Sequence, residues 1–426
     1  MLERLHVENL LIVRAATLDL HPRLNVVTGE TGAGKTMLTA ALGLARRDGT
    51  AATPDTQFRI ASMTKSFTAL AVLKLRDEGK LSLEDEAAKW IPELARFKYP
   101  TADSPVLRVR HLVTHSAGFP EDNPWGDQQL GLAFPELTRW LEQGLPWSTA
   151  PGTAYEYSNY GFALAGRVIE KASGRAYREY VETEILKPLG MTRSTLEPAE
   201  ADNAAIGYRF QSGRYSEEKS LPHGAFGAMG GMVTTARDLA KYVAFHLDAW
   251  PPRDGEEKGP VKRASVREMQ QMWRFSGLNA KREPLENNLE ATAAGYGYGL
   301  RISSDCRFGH LVAHGGGLPG FGSHMLWLPE YGVGVFDMSN LTYAPAAQPL
   351  HQALNVLKAT GALQPRAWPP SPVLETTRQT LFRLFQQWNE ADAKQVAAMN
   401  LYLDANEALR QQDIAEAKKL MKEAGY

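Results

Sequence analysis

Hydrophobic residues recur along the chain in the two spacings that distinguish strands from helices. Apolar and polar positions alternate through residues 2–13 and 16–27, which predicts two strands, and 24–28 is itself a short apolar strand. Two apolar runs, 323–328 and 333–338, predict a hairpin across the Pro-Glu-Tyr-Gly turn between them. Helical runs are predicted over 37–46, 64–78 (closed by Gly79), 162–172, 373–389 and 405–424.

Proline, glycine and charge mark the connections between these segments. Residues 251–262 alternate charges with Pro and Gly and predict a solvated loop. A proline cluster at Pro365, Pro369, Pro370 and Pro372 predicts a linker. The predicted organisation is therefore an N-terminal fragment (1–47), a central domain (48–363), a Pro-rich linker with a helical extension (364–404) and a C-terminal helix (405–426).

Composition narrows the class of protein. Of the 426 residues, 43% are hydrophobic and 22% charged, which suits a globular protein with a full core. The net charge of −1 argues against nonspecific binding to nucleic acid. A lone cysteine, Cys306, excludes a disulfide within the chain and a cysteine-based metal site. No apolar run is long enough to span a bilayer, and charges interrupt residues 1–20, so we expect a cytoplasmic protein without a signal peptide.

A serine and a lysine stand three residues apart where a short apolar segment becomes a helix. Ser62 and Lys65 form a Ser-x-x-Lys motif, and this spacing places both on one helical face. A serine hydroxyl is a weak nucleophile and needs a nearby base. A lysine amine can act as that base when burial or a neighbouring cation lowers its pKa. The N–H groups at the helix N-terminus suit a developing oxyanion.

Two later segments supply further groups of the kind that nucleophilic catalysis uses. Tyr157 and Asn159 lie in a loop that opens a predicted helix, where a phenol can relay a proton and an amide can hold a substrate carbonyl or the lysine. His314 begins a glycine-rich run that includes Gly316 and Gly317. Positions without side chains let a substrate backbone lie against an edge strand and leave an N–H group free for an oxyanion hole.

These segments together resemble the serine β-lactamase and penicillin-binding-protein superfamily, in its class-C-like group. The resemblance covers about residues 50–404, and it rests on five ordered blocks: 56–68 around the Ser-x-x-Lys motif, 109–120, the Tyr-Ser-Asn loop, 230–238 and the His-Gly-Gly block. It implies an α/β (α+β) fold with an antiparallel sheet flanked by helices. A mostly helical subdomain is expected around residues 90–220.

The resemblance also implies roles for the residues of the motifs. Ser62 would be the nucleophile, Lys65 its activating partner, Tyr157 the general base or acid, and Asn159 an orienting group. The N–H groups of Ser62 and Gly317 would form the oxyanion hole. Whether the lysine or the tyrosine takes the serine proton stays open, because the two groups can titrate as a pair.

The third block departs from the β-lactamases in one residue. It begins with His314, as is common in esterase and peptidase-like members, where β-lactamases usually carry lysine. The expected function is a serine hydrolase that forms an acyl-enzyme on an ester, amide or β-lactam carbonyl of a small-molecule or peptide-like substrate. Members of this group are often periplasmic or secreted. No cofactor is expected and no metal, because His111 and His115, though four apart, lack a nearby third ligand.

The N-terminal fragment carries a different motif. Gly29, Gly34, Lys35 and Thr36 match the Walker A pattern, with a predicted strand before it and a predicted helix after it. Residues 1–46 resemble the start of SMC-like DNA-repair ATPases of the RecN type, in which the lysine would reach the β and γ phosphates and the threonine would hold magnesium. The chain has no Leu-Ser-Gly-Gly signature and no unassigned Walker B strand, so ATP turnover is not expected.

Two alternatives to the serine hydrolase stay open, because the N-terminal fragment and the central domain resemble different families. One is a P-loop nucleotide-binding protein. The other is a catalytically inactive penicillin-binding-like module, because residues 1–47 stand where the family's first sheet strands normally lie and the chain has the look of a fusion. The C-terminal residues 413–426 weakly resemble a helix of peptide-type solute-binding proteins, and no binding function follows from this helix.

Overall fold

An antiparallel sheet is the central element of the protein, which a computed structural model describes over residues 4–10, 13–19, 24–31, 34–197, 203–282, 289–366 and 371–425. Within these ranges eight strands pair in the order β4-β3-β14-β13-β12-β11-β10-β9, each antiparallel to its neighbours. The strands are β3 (Leu24–Thr31), β4 (Gly34–Thr39), β9 (Arg274–Arg282), β10 (Leu289–Tyr296), β11 (Arg301–Asp305), β12 (Gly309–Leu318), β13 (Phe321–Leu328) and β14 (Val333–Ser339).

Three smaller two-stranded sheets accompany the central one in the described residues. They pair β1 (Arg4–Leu10) with β2 (Val13–Asp19), β5 (Phe58–Arg59) with β8 (Val233–Thr234), and β6 (Tyr208–Gln211) with β7 (Arg214–Glu217). The second of these sheets leads into the segment that carries Ser62, so it fixes where that segment starts.

Helices flank the sheet and supply most of the remaining structure. They are α1 (Thr64–Asp77), α2 (Ala87–Trp90), α3 (Val109–Val113), α4 (Phe134–Gln143), α5 (Asn159–Ser173), α6 (Tyr177–Val181), α7 (Gly227–Gly230), α8 (Ala236–Asp248), α9 (Arg263–Met269), α10 (Ala347–Ala359), α11 (Pro372–Gln386), α12 (Glu390–Val396), α13 (Leu401–Asp404) and α14 (Glu407–Glu423). Four short 3₁₀ or π turns join them: Ala61–Met63, Pro92–Arg96, Gly126–Gln129 and Glu182–Leu186. The mixed α/β architecture predicted from the resemblance is confirmed.

The chain forms two compact units. The first, Met1–Pro365, contains the sheets and α1 to α10. The second, Arg366–Tyr426, contains α11 to α14. Within this second unit, Asn389 and Asn406 cap α12 and α14 through their side-chain oxygens.

Helix α1 is buried on nearly every side, which explains its composition. Eleven of its residues are buried, and they include small and apolar side chains all around the helix. A helix that is apolar on all faces is stable only inside a core. Phe67 stacks on Tyr242 of α8 with ring centroids 3.8 Å apart. Gly79 adopts φ +72° just after the helix and ends it, as the sequence predicts.

Several predicted elements are confirmed with small shifts at their ends. The helices predicted over 64–78 and 162–172 are α1 and α5, and the predicted hairpin is β13 with β14. The amphipathic helices predicted over 373–389 and 405–424 are α11 and α14. The local sequence pattern therefore predicts these elements both where they are buried on nearly every side, as α1 is, and where no residue is buried, as in α14.

The predicted helix over 37–46 is wrong. Residues 34–39 form β4, which pairs with β3 so that Gly29 faces Thr36 and Glu30 faces Lys35. A Walker A motif needs a loop that leads into a helix N-terminus, so that consecutive N–H groups converge on phosphate. Here the ladder of a hairpin replaces that arrangement, because β3 already lies against β14 and offers its free edge to the following segment. This geometry gives no support to nucleotide binding by Gly29, Gly34, Lys35 and Thr36.

Candidate active site

Ser62 lies in a tight turn between β5 and α1. The residue before it, Ala61, adopts φ +50°, a left-handed conformation that costs energy for a residue with a Cβ. The hydroxyl of Ser323 on β13 donates a hydrogen bond of 2.9 Å to the carbonyl of Ile60 and so ties the turn to the sheet. Ser62 itself is 7% exposed. The surrounding structure therefore holds this serine at one place on the cleft floor.

The side-chain nitrogen of Lys65 has three oxygen atoms within hydrogen-bond distance. Its Nζ lies 2.9 Å from Ser62 Oγ, 2.6 Å from Asn159 Oδ1 and 2.9 Å from the Met229 carbonyl oxygen. The side chain is fully buried. Burial lowers the pKa of Lys65 to about 7, against the opposing effect of the carboxylates of Asp127 and Asp122. At neutral pH a large fraction of this amine is therefore uncharged.

The three contacts also fix which way the neutral amine points. An uncharged amine has two hydrogens and one lone pair. The carbonyl oxygens of Asn159 and Met229 can only accept, so they take the two hydrogens. The lone pair of Lys65 is then left for the third partner, the hydroxyl of Ser62. This is the arrangement that a base needs in order to remove the serine proton.

Asn159 is held in turn by the start of α5. Its backbone N–H and that of Tyr160 donate to the two carboxylate oxygens of Asp122, at 2.7 and 2.8 Å. Its side-chain amide donates to Asn123 Oδ1 at 2.7 Å, which leaves Oδ1 turned toward Lys65. The helix N-terminus thus orients the amide, and Asp122, which had no signal in the sequence, positions it.

Tyr157 lies beside the serine and the lysine. Its ring centroid is 4.9 Å from Lys65 Nζ and 4.1 Å from the ring of His115. Burial raises the pKa of Tyr157 far above that of an ordinary phenol, while the hydrogen bond with Ser62 lowers it. The phenol therefore stays protonated at neutral pH and can act as a proton donor.

The glycines of β12 lie against the serine turn from the other side. β11 pairs with β12 only as far as Ala313, so the stretch from His314 onward has β13 on one side and an open edge on the other. A Cβ on Gly316 would lie 2.1 Å from the Ile60 carbonyl oxygen. A Cβ on Gly317 would lie 2.5 Å from Tyr343 Cδ1. Both positions admit only glycine without displacement of a neighbour.

His314 is buried and neutral. Its Nε2 lies 2.7 Å from the hydroxyl of Tyr296, and its Nδ1 lies 2.6 Å from the carbonyl oxygen of Gly315. Burial, with the charges of Arg301 and Lys65, holds the pKa of His314 well below its usual range. Since the carbonyl takes the Nδ1 proton, Nε2 accepts from the tyrosine, and His314 does not supply a cation.

The other histidine pair has structural partners. His111 Nδ1 accepts from the N–H of Arg108 and thereby caps α3, and His115 Nδ1 accepts from the N–H of Ser158. Among the described residues, no group of three His, Cys, Asp or Glu side chains is placed to hold a metal ion.

The structure places Ser62, Tyr157 and the His-Gly-Gly block on the walls of one cleft, with Lys65 and Asn159 buried behind Ser62 and linked to it by hydrogen bonds. The cleft also contains residues that the sequence analysis missed. The cleft has a volume of about 500 Å³. Its additional walls include Arg301, Asp127 and Tyr343. Arg301 directly follows a Tyr-Gly-Tyr-Gly-Leu segment that could line a cleft, whereas Asp127 lies in the 3₁₀ turn Gly126–Gln129, which shows no recognisable motif.

Two of the added residues carry opposite charges. The guanidinium carbon of Arg301 lies 5.5 Å from the centroid of the Tyr157 ring. Burial raises the pKa of Asp127 to about 6, and this carboxyl accepts a hydrogen bond of 3.1 Å from the hydroxyl of Tyr343. The cleft therefore presents a cation and a titratable carboxyl on separate walls around Ser62.

Comparison with known proteins identifies the family. A protein-family model named Beta-lactamase matches residues 18–358. The chain belongs to the beta-lactamase family. This match begins within β2 and ends within α10, so it includes the whole cleft and also β3 and β4 at the edge of the sheet.

Individual relatives of this beta-lactamase-family chain are distant. It is 28% identical to Protein flp of Staphylococcus aureus (strain N315) over 301 residues, which are 69% of this chain and 55% of the relative. It is 26% identical to a penicillin-binding protein of Bacillus subtilis (strain 168) over 305 residues, 66% of this chain and 60% of the relative. The chain thus spans little more than half the length of these curated relatives.

A solved structure shares the fold. The octameric penicillin-binding protein homologue from Pyrococcus abyssi superposes with a TM-score of 0.63 at 28% identity, and the match covers 79% of this chain and 74% of that one. The fold class predicted from the sequence motifs is therefore confirmed by the comparison. None of the helices in the described ranges combines the length and the apolar character that crossing a membrane requires.

Proposed function

We propose that the protein is a serine hydrolase that cleaves a carbonyl substrate through an acyl-enzyme on Ser62. The observation that carries the proposal is the contact of 2.9 Å between Lys65 Nζ and Ser62 Oγ inside a cage that directs the amine lone pair at the hydroxyl. A buried lysine with a pKa of about 7 is a base matched to neutral pH.

In the acylation step Ser62 Oγ forms a bond to the substrate carbonyl carbon while its proton passes to Lys65. The carbonyl oxygen becomes an oxyanion between the N–H groups of Ser62 and Gly317. Tyr157 then gives its proton to the leaving group and recovers one from Lys65, which is again neutral. Between the two candidate bases, lysine is assigned because the phenol of Tyr157 stays protonated at neutral pH.

In the second step a water molecule takes the place of the departed leaving group and attacks the acyl-enzyme. Lys65 takes a proton from the water as its oxygen attacks the acyl carbon, and the proton returns to Ser62 Oγ as the ester bond breaks. Asn159 keeps the amine oriented in both steps through its carbonyl oxygen. Removal of a single oxyanion donor in such a site typically lowers the rate about a hundred- to thousandfold.

We assign recognition of a substrate carboxylate to Arg301. His314 is neutral, so the cation of the cleft comes from the neighbouring strand β11. A guanidinium binds a carboxylate through two parallel hydrogen bonds. The relatives named as penicillin-binding proteins favour the same class, since penicillin carries a carboxylate near its reactive carbonyl. Turnover measurements on an ester, a peptide and a β-lactam determine which of these substrate types the protein hydrolyses.

A labelling experiment tests the nucleophile. The full chain is treated with a fluorescent fluorophosphonate, and hydrolysis of a p-nitrophenyl ester is followed alongside. We expect labelling and turnover in the native chain and in Ser104→Ala, whose half-buried serine bonds to Thr101 and does not line the cleft, and neither in Ser62→Ala. Turnover retained by Ser62→Ala contradicts the assignment. Absence of labelling in the folded native chain favours the inactive penicillin-binding-like alternative.

Substrate charge tests the role of Arg301. Two esters with the same leaving group are compared, one with a carboxylate on the acyl side and one with a neutral amide there. We expect Arg301→Gln to lower kcat/KM for the charged ester by about tenfold or more and to leave the neutral one nearly unchanged. Arg237→Gln, on the surface beside Asp55, is the control. An equal loss for both esters contradicts the assignment.

A further inference from the structure

A second cavity lies outside the catalytic cleft and shares no wall residue with it. It has a volume of about 380 Å³, within the size range of small-molecule sites. Its walls come from β5, from the turn between β12 and β13, and from two segments around residues 204–207 and 218–221. We refer to it as the Arg46–Arg59 cavity, after the two arginines that line it.

The two guanidinium groups have spare hydrogen-bond donors. Arg59 uses one nitrogen, Nη2, for Ser220 Oγ at 3.1 Å and for the Leu221 carbonyl. Arg46 uses Nε for the Ala204 carbonyl at 3.0 Å. Each guanidinium has five N–H groups, so most of them have no acceptor among the described residues.

Neither arginine forms a salt bridge with a carboxylate in the described part of the chain, although Arg46 lies near enough to Asp48 to contribute to the lowered pKa of that carboxyl. Glu218 also lines the cavity, but its carboxylate pairs with Arg209 and accepts from Thr342 Oγ1 at 3.2 Å. Arg59 is half-buried, and burial without a neighbouring carboxylate lowers the pKa of this residue. Holding the Arg59 guanidinium half out of water without a counter-charge costs free energy, and an anion bound in the cavity would offset that cost.

Apolar side chains form much of the remaining cavity wall, which also includes Gln57, Lys219 and Ser220. Leu221, Leu318, Phe321 and Ile206 line it together with the arginines. Bidentate guanidinium donors suit a carboxylate or phosphate, and an apolar wall suits hydrocarbon. A free inorganic ion would leave the apolar wall exposed to water. The lining therefore fits a molecule that has both a charged head group and a hydrocarbon part.

We propose that the Arg46–Arg59 cavity binds a small amphiphilic anion, with its oxyanion head between the two guanidinium groups and a short hydrocarbon tail on the apolar wall. The site is separate from catalysis and does not depend on the proposed hydrolase activity. It borders the active site at two points of the chain, since Arg59 precedes Ser62 by three residues and Leu318 follows Gly317.

Calorimetric titration of the full chain with octanoate tests the proposal. We expect saturable binding, at one site once Arg301→Gln has removed the carboxylate site proposed in the cleft, and weakening in the order octanoate, butanoate, acetate, because each buried methylene contributes about 0.8 kcal/mol, close to fourfold in affinity. Octan-1-ol, which lacks the charge, should bind at least about tenfold more weakly. Octyl phosphate in place of octanoate distinguishes the head groups, and saturable binding of either one supports the site.

Variants locate the binding. Arg46→Gln should weaken octanoate binding by about tenfold or more, whereas Arg47→Gln, at the adjacent arginine that lies over the Tyr215 ring, should leave it unchanged. Arg301→Gln removes the carboxylate-binding cation proposed for the catalytic cleft, so octanoate bound there is lost in this variant, whereas binding in the Arg46–Arg59 cavity should persist unchanged. The proposal is overturned if octanoate and octyl phosphate both fail to bind, if Arg301→Gln removes all octanoate binding, or if Arg46→Gln leaves it intact in a protein whose melting temperature is unchanged.

Discussion

Lys65 illustrates how burial creates reactivity at a single residue. In water its amine would be almost entirely protonated at pH 7 and could not accept a proton. In the protein it has no exposure, and desolvation of the charged form outweighs the attraction of the nearby carboxylates. The same cage that lowers the pKa supplies two carbonyl acceptors, so the neutral form loses no hydrogen bond.

The pH dependence of acylation follows from this residue. The neutral amine is the active form, so kcat/KM should rise with pH through a midpoint near 7 and then level off. The negative charge of Asp127 raises the pKa of Lys65, so Asp127→Asn should move that midpoint to lower pH. Lys65→Arg should be inactive at every pH, because a guanidinium does not release its proton.

Stopped-flow acylation rates measured from pH 5 to pH 9 provide the check. Retained folding of each variant is verified by circular dichroism. A midpoint that Asp127→Asn leaves in place or moves to higher pH would show that the carboxyl does not act on the lysine, and an active Lys65→Arg would remove lysine as the base.

Gly316 shows a physical reason for glycine that the sequence analysis did not give. The sequence suggests that glycines here make room for a substrate backbone. In the structure the space is filled by the protein itself, since the missing Cβ would lie 2.1 Å from the Ile60 carbonyl oxygen. Gly316 therefore lets β12 approach the nucleophile turn, a contact between residues 256 positions apart that no local pattern encodes.

At the scale of elements, the site is formed where α1 and α5 begin. α1 presents Ser62 and Lys65 from its first turn and the 3₁₀ turn before it. α5 begins at Asn159, and its first N–H groups are held by Asp122 from a separate loop. The position of the amide that contacts Lys65 therefore depends on how that helix is capped.

Removal of the Asp122 cap should affect both stability and rate. Asp122→Ala leaves two N–H groups of α5 without their acceptors, which should cost about 0.5 to 2 kcal/mol in the free energy of unfolding. Because Asn159 moves with the helix start, we also expect kcat to fall roughly ten- to hundredfold. Asp122→Asn, which keeps one acceptor oxygen, should recover part of both.

Asn406→Ala provides the matched control, since it removes the cap of α14 in the second unit. Urea unfolding and p-nitrophenyl ester turnover are measured for each variant. If Asp122→Ala loses stability but keeps the native kcat, the carboxylate is a helix cap without influence on the amide of Asn159.

The elements differ in how far sequence alone predicts them. α1, α5, β13 and β14 follow from the local sequence, because each is a continuous segment of mostly buried side chains. β4 does not, because residues 34–39 contain no strand signal that outweighs the Walker A resemblance. Its conformation is decided by the free edge of β3, a tertiary partner that local propensity does not describe.

The same distinction applies to the site. Ser62, Lys65, Tyr157 and Asn159 stand in motifs with fixed spacing, so they can be found in the sequence. Arg301 and Asp127 reach the cleft only through the pairing of β11 with β12 and through the loop before α4, so their placement needs the three-dimensional structure. The predicted division of the chain at 47, 363 and 404 remains a prediction.

At the scale of the whole molecule, the N-terminal segment contributes to the central sheet. β3 lies between β14 and β4, with residues 24–29 in register against β14. β1 and β2 form a separate hairpin. An interior strand donates each of its N–H groups to one neighbour or the other, whereas a strand in a two-stranded hairpin leaves about half of them unpaired.

This difference predicts unequal effects of two matched substitutions. Val27→Pro places proline in β3, which has partners on both sides, so a ladder hydrogen bond is lost whichever way the N–H points. We expect a loss of about 2 to 3 kcal/mol in the free energy of unfolding. Val7→Pro changes the same residue type in β1, which has one partner among the described strands, and should cost clearly less. Urea unfolding followed by tryptophan fluorescence measures both, and fluorophosphonate labelling of Ser62 reports whether the cleft survives. Equal, small losses for the two variants would mean that residues 24–29 do not complete the sheet, and the family's central sheet would then end at β14.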